Sequence, residues 1–411
     1  MSEDKRPLSL FEGVGLEIEY ALVDAESLDV RPWADRLLRA AAGSREHVSD
    51  HDDGEIGWSN ELVNHVLEFK NAGPVPSLDG VDTAFDESLD RAQAILGEWS
   101  ARLIPTGMHP WMDPAHETKL WSHEGAEIYN TYDRIFHCRR HGWSNVQSTH
   151  LNLPFANEDE LVRLYAAARV VLPLLPALAA SSPFQEGRAS GMLDTRLHHY
   201  ATNSAVVPAM TGPMIPEPLA SYDDYRAILA SIDAGLEGHD TERLLIGNEW
   251  INARGAIARF DRMAVELRLL DTQECPRADV AICATVTAAV RAMCEERFVS
   301  LDELRVAEVA PLRRTLDAAI KLGGAAEPAT PLLGKALGAP GAETLRDIWS
   351  SFVEQAPPSD AGGEVLQLIL ARGTLAERIL RAAGPSPRRE KLVDVYTDLA
   401  GCLAASRLFE A

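Results

Sequence analysis

The sequence predicts an α+β protein: an antiparallel sheet with one apolar and one polar face, helices packed on the apolar face, and an all-helical C-terminal part. Three observations predict it. Four segments in the first two-thirds of the chain alternate polar and apolar residues with period two, so each strand has two faces of opposite character. Residues 159–184 form a largely apolar stretch at helical spacing, which must be buried. From about residue 279 onward, apolar residues recur with helical period between Gly and Pro punctuation. The chain has 411 residues, 46% hydrophobic and 25% charged, which is ordinary for a globular protein with a large core.

The first strand is "GVGLEIEYALVD", residues 13–24. Leu16, Ile18, Tyr20 and Leu22 share one face, and Glu17, Glu19 and Ala21 share the other. Two carboxylates two positions apart start roughly 6.6 Å from one another. Their repulsion is roughly 2.5 kcal/mol at an effective dielectric near 20, against about 0.6 kcal/mol in water. Either this face is the wet side of the sheet, or it lines a cavity where something positive holds the carboxylates together. In "NELVNHVLEFKNAGP", 60–74, Asn64, Glu68 and Lys70 have one parity. Glu61 has the other, and reaches the same side only if the strand begins after it or is bulged. Residues 82–103 read as a helix. In "NVQSTHLNLPF", 145–155, Ser148, His150 and Asn152 oppose Thr149, Leu151 and Leu153. The apolar helix that follows should be bent or ended by Pro173 and Pro176. In "MAVELRLLD", 263–271, Glu266 and Arg268 stand opposite Val265, Leu267 and Leu269. Residues 323–343 read as the most flexible loop.

Four such strands suggest one sheet whose polar face gathers Glu17, Glu19, Glu68, His150, Glu266 and Arg268. That many carboxylates on one surface call for cations, and hard oxygen ligands suit Mg²⁺ or Mn²⁺. Each residue has a plainer reading: His150 as a structural histidine, and Glu266 with Arg268 as a surface cross-strand pair. The shared parity weighs against these. Arg254, Arg259, Arg262, Arg268 and Arg277 cluster beside the last strand in a chain of formal charge −23, an arrangement that suits phosphate oxygens or surface ion pairs. "RRH", 139–141, adds a second basic spot, and no glycine-rich phosphate loop is present. The net negative charge argues against nucleic acid and anionic membranes as partners. Five cysteines without a CxxC pair argue against a disulfide framework and a cysteine zinc site. The absence of a long apolar run or a secretory pattern near the start makes the expectation a cytosolic protein.

The segments "GLEIEY", "ELVNHVLEF", "GMHPW", "YDRIFHCRRHGWSNVQSTHLNLPF", "LPALAASSPFQEG" and "AVELRLLDTQ" resemble, in order and spacing, the glutamate-cysteine ligase family of the second type, the bacterial carboxylate-amine ligases. The resemblance covers residues 13–290 and leaves 291–411 as a helical C-terminal region, the whole expected to form one catalytic unit. It implies a glutamine-synthetase-like fold, in which the sheet is an open funnel with helices outside. It implies ATP and two or three Mg²⁺ ions, held by Glu17, Glu19, Glu68 and Glu266 with His150, and Glu61 as a further acidic ligand. It also implies that Arg268 contacts phosphate during transfer; after "SSPF" the chain departs from the family pattern with "QEGRASGMLDTRLHHY", where Arg196 and Tyr200 are the candidate substrate contacts. The expected partners are small molecules, an amino acid carboxylate and an amine, and a homodimer is the family-level expectation. The chain departs from the family at "THLNLP" and "NEWINARG", which bears on which substrates are joined. A non-catalytic binding scaffold on the same fold and a guanidino-type kinase are the alternatives.

Overall fold

Eight strands form one antiparallel sheet in the computed structural model, which describes residues 6–358 and 360–411. They are β1 (Gly15–Asp24), β2 (Asp50–Asp53), β3 (Ile56–Asn60), β4 (Val66–Asn71), β5 (Ala101–Ile104) and β6 (Ser148–Pro154), followed after the small hairpin β7 (Phe184–Gln185) and β8 (Arg188–Ala189) by β9 (Ala256–Arg259) and β10 (Ala264–Asp271). Their order is β2-β3-β4-β1-β6-β10-β9, with β5 beside the end of β1.

Period two in the sequence becomes two faces in space. Leu16, Ile18, Tyr20 and Leu22 are all at most 1% exposed and join Phe69, Leu151, Leu153, Val265 and Leu267 in the core. Helices Val81–Gly97, Glu158–Val171 and Pro276–Cys294 cover that face. The second of these is capped by the Asn157 side chain, which accepts from Glu160 N, and three acidic residues occupy its first turn, where they complement the helix dipole. It ends at Val171 as the prolines require: a 3-10 turn at Leu172–Leu174 and a short helix at Pro176–Ala179 follow.

Two expectations change. The helix read over 82–103 stops at Gly97, and the chain turns through Ser100, at φ 52°, into β5. Residues 323–343 are not an open loop: Thr330 caps a helix at Pro331–Ala336 that buries Leu333 and Ala336. Pro at its first position removes an N–H that would be orphaned anyway, so local chemistry favours a helix start where composition suggested a linker.

The C-terminal helices share the main core, which runs in sequence from Val14 to Leu403. A second apolar cluster joins Val23, Ile104 and Trp111 to Ile379 and Tyr396 of the last helices. Between them lies a buried ion pair, Arg378 Nη1 to Glu274 Oε1 at 2.6 Å, both side chains 1% exposed. All five cysteines are free and buried. No helix among the described residues is long and apolar enough to cross a membrane.

Two buried histidines set a pH limit. His65 Nε2 lies 2.8 Å from the Ser144 carbonyl. His109 Nε2 is 2.7 Å from the Leu28 carbonyl, while its Nδ1 accepts from Met112 N at 3.0 Å, so a second ring proton would displace a donor. Burial pushes both imidazoles down to about 4. The unfolded chain therefore binds protons first. The contribution of these two histidines to stability should be flat above about pH 6.5 and fall as pH drops from there to about 4, while the raised carboxyls of Glu68 and Asp279 act in the opposite sense. Urea midpoints of the parent and of His109→Gln measured across this range test it: the difference between them should shift in the variant's favour as pH falls from about 6.5 to about 4.

Candidate functional site

The polar face of the sheet is organised in cross-strand rows. Asn152 lies opposite both Gly15 and Glu266, Glu17 lies between Lys70 and His150, and Glu19 lies opposite Glu68. Glu17, Glu19, Glu68, His150 and Glu266 are each less than 10% exposed. Glu61 follows the last residue of β3 and precedes β4, so the strand does begin after it, and it reaches the wall despite its parity: one oxygen each of Glu19, Glu61 and Glu68 lie within 4.8 Å of one another. The same spacing relates Glu17, Glu68 and His150.

Electrostatics divides these carboxylates. Burial opposes ionisation of Glu17, but His150 Nδ1 at 3.2 Å and Arg262 Nη1 at 2.8 Å outweigh it and hold the carboxyl well below the usual range. Burial and then the Glu17 charge push Glu68 up to about 7, although Lys70 Nζ lies 3.1 Å away. Burial, with Glu19 and Glu68 beside it, raises Glu61 well above the carboxylate range. Glu19 is raised by burial against the pull of His150 and the Ser148 N–H, which it accepts at 2.9 Å. Burial disfavours the His150 cation, yet Glu17 and Glu266 raise its pKa. Two overlapping groups of three ligands, rich in oxygen and too close to be ionised together, have the chemistry of a hard divalent cation site.

Arginines and one lysine flank the wall. Arg259 Nη1 reaches Glu266 Oε2 at 3.3 Å, and Arg262 and Lys70 hold Glu17 and Glu68 as above. Arg268 Nε lies 2.9 Å from Glu266 Oε1. Arg254 does not join them. Its guanidinium is spent on Glu217, at 2.7 and 2.8 Å, and on the Ala209 carbonyl, so the reading that it faces a ligand is corrected. The "RRH" spot is likewise engaged: Arg140 donates to the Asn203 carbonyl at 2.6 Å.

A cavity of about 390 Å³ opens beside the wall. Glu19, Glu61, His150, Arg196 and Arg268 line it, together with a wall of aromatic rings from Tyr129, Tyr132, Trp143, Tyr200 and Trp250. Arg196 Nη2 and the Tyr200 hydroxyl are buried without a partner. Buried donors left open in this way are sites for a ligand.

Alternation alone could not show how Arg196 is held. Between Leu267 and Leu270 the register of β10 slips by one residue against β6, and this bulge places Asp271 opposite Ser148, on the polar side, despite its odd number. Asp271 Oδ1 accepts from Arg196 Nε at 2.5 Å, and Oδ2 accepts from Ser181 N at 2.9 Å and Ser182 Oγ at 2.7 Å. A Cβ on Gly107 would sit 2.4 Å from Asp271 Cγ. The serines of "ALAASSPF", the aspartate of "ELRLLDTQ" and the glycine of "GMHPW" thus form one support for Arg196. Apart from Tyr200, at the end of helix Thr195–Tyr200, the aromatic wall was also missed. Its other residues come from Ala126–Phe136, the short helix His141–Ser144 and the 3-10 turn Glu249–Ile251 before β9, and nothing in their spacing marks them as neighbours.

The sequence model of glutamate-cysteine ligase family 2 (GCS2) matches residues 13–398. The chain is 32% identical over 397 residues to an uncharacterized protein of Archaeoglobus fulgidus, across 96% of this chain and all of that one. It is 29% identical over 232 residues to a Corynebacterium efficiens protein named "Putative glutamate--cysteine ligase 2-1", across 55% of this chain and 54% of that protein. The matched region therefore spans about half the length of that relative. A crystal structure of glutamate-cysteine ligase from Francisella tularensis in complex with AMP matches with a TM-score of 0.59 at 12% identity, over 97% of this chain and 90% of that one. The shared architecture is the glutamine-synthetase-like α+β fold expected from the sequence.

Proposed function

The chain belongs to glutamate-cysteine ligase family 2, a family of ligases, and from that premise we propose that it is an ATP- and Mg²⁺-dependent carboxylate-amine ligase of the cytosol, joining glutamate to cysteine or another amine. The observation that carries this reading is the buried acidic wall, with cationic groups at its margins and a cavity that offers unpaired donors from Arg196 and Tyr200. The AMP bound to the Francisella tularensis ligase agrees with a nucleotide substrate.

In this reaction an oxygen of the substrate carboxylate attacks the γ-phosphorus of ATP, and the bond to ADP breaks. The amine nitrogen then adds to the acyl phosphate carbon, phosphate leaves, and a proton is released. No protein nucleophile is needed, so the residues act by orientation and charge. Bound Mg²⁺ would be held by Glu17, Glu68, His150, Glu19, Glu61 and Glu266, and would supply charge neutralisation at the phosphate oxygens. Arg268 offsets charge on the phosphoryl group in transit. Arg259, Arg262 and Lys70 attract the remaining phosphates. Arg196 and Tyr200 take the substrate carboxylate, and the aromatic wall keeps water from the activated acyl group.

Assaying the twenty amino acids and small amines for ADP release, with mass analysis of the product, tests the proposal. An amide formed in step with ADP supports it. A phosphorylated product would assign a kinase instead, and no nucleotide binding at millimolar ATP with Mg²⁺ would assign a binding scaffold. Gly107→Ala addresses the support of Arg196. The added methyl must displace the Asp271 carboxylate, and kcat/KM for the carboxylate substrate should fall by about 10- to 100-fold, the cost of misplacing a binding group by about 1 Å. A value within twofold of the parent would show that Asp271 does not position Arg196.

A further inference from the structure

A second cluster of ligand-type side chains lies outside the acidic wall. Asp35, in the first turn of helix Ala34–Ala41, meets His47 and His123 from two loops. Asp35 Oδ2 is 3.0 Å from His123 Nε2 and 3.9 Å from His47 Nδ1. Ligand atoms around a four-coordinate Zn²⁺ at about 2.0–2.1 Å are about 3.4 Å apart, and the two observed distances bracket that value. The carboxylate is held in place from behind: its Oδ1 accepts from Asn64 Nδ2 at 3.0 Å and from Arg36 N at 2.8 Å. This is the outer support that metal-ligating carboxylates usually have.

The two imidazoles stack with centroids 3.7 Å apart and planes 18° from parallel. The His47 side chain is 37% exposed, so it can turn to bring its lone pair in line with those of Asp35 and His123, and solvent can fill the remaining position.

We propose that Asp35, His47 and His123 form a second metal site, selective for a borderline transition ion such as Zn²⁺ or Co²⁺. Two nitrogens and one carboxylate favour these ions, whereas the oxygen-rich wall favours Mg²⁺. The ion ties together three chain segments around Asn64. That residue also receives the Ala34 N–H on its carbonyl and donates its own N–H to the Lys119 carbonyl, and it belongs to the loop that carries Glu61. The site therefore braces the wall from outside without touching its ligands.

The full chain, stripped by chelator, is titrated with Co²⁺ in the presence of millimolar Mg²⁺, which occupies the wall. The expected result is one equivalent of Co²⁺ with the visible bands of a low-coordinate ion, in the parent and in Glu17→Gln alike. His47→Ala and His123→Ala should abolish the bands, and Asp35→Asn should weaken uptake by about tenfold or more. His47 is the exposed member, so its variant keeps the fold and reports on the site even where His123→Ala destabilises the loop. No uptake by the parent, or uptake unchanged in His47→Ala, would overturn the assignment.

Discussion

Glu266→Gln should lower ligase turnover by about 10²- to 10³-fold, the usual cost of removing one strong electrostatic contact to a developing charge. Glu266 is 2% exposed and stands between three cations: His150 Nδ1 at 3.8 Å, Arg259 Nη1 at 3.3 Å and Arg268 Nε at 2.9 Å. The amide keeps the shape and removes the charge. Arg268 then loses the group that fixes its guanidinium, and the wall loses a carboxylate for Mg²⁺. The loss should appear in kcat, with the urea midpoint little changed, because one repulsion on the crowded wall is relieved as the ion pairs are lost. The measurement is steady-state ADP release with the substrate pair found by the amino acid assay. Turnover within threefold of the parent would remove Glu266, and with it the metal reading of the wall, from the chemistry.

Arg378→Ala should destabilise the fold by about 3–5 kcal/mol, because it strands an ionised carboxylate in the core. Glu274 Oε1 receives Arg378 Nη1 at 2.6 Å and the Phe409 N–H at 3.3 Å, and the same Nη1 caps the Phe409 carbonyl at 2.5 Å. Three segments meet at this pair: the turn after β10, helix Leu375–Ala383 and the C-terminal residues. The control is Arg378→Met combined with Glu274→Gln, which removes both charges and should recover much of the loss. Chemical denaturation of the two variants and the parent decides it. A cost below about 1 kcal/mol for Arg378→Ala would mean that water reaches Glu274 and that the C-terminal helices are held by apolar contact alone.

The acidic wall was legible because strand geometry is local. Glu17 and Glu19 must share a face wherever β1 lies, and the same holds for Ser148, His150 and Asn152 on β6. That the four strands join in one sheet followed from their shared amphipathic pattern and from the family resemblance; the register that sets His150 opposite Glu17 and Glu68 opposite Glu19 came only with the structure. Clustering in sequence was a poorer guide for the arginines. Arg254 and Arg259 are five residues apart, yet one is spent on Glu217 and the other reaches Glu266, since Arg259 is held on β9 beside β10 whereas Arg254 lies before the strand, where its direction follows its packing partners.

By itself the sequence determined the alternation of the strands, the residues that make the polar face, the burial of helix Glu158–Val171 and its end at the prolines, and the helical character of the last third. Each depends on steric and hydrophobic rules acting within a few residues. Only the tertiary structure decided which cations meet which carboxylates, how the bulge turns Asp271 toward Arg196, why Gly107 must lack a side chain, and which aromatic rings close the cavity. Those are contacts between residues as far apart as Gly107 and Asp271. They depend on how whole elements stack, and a one-residue slip in register reverses what a local period would say.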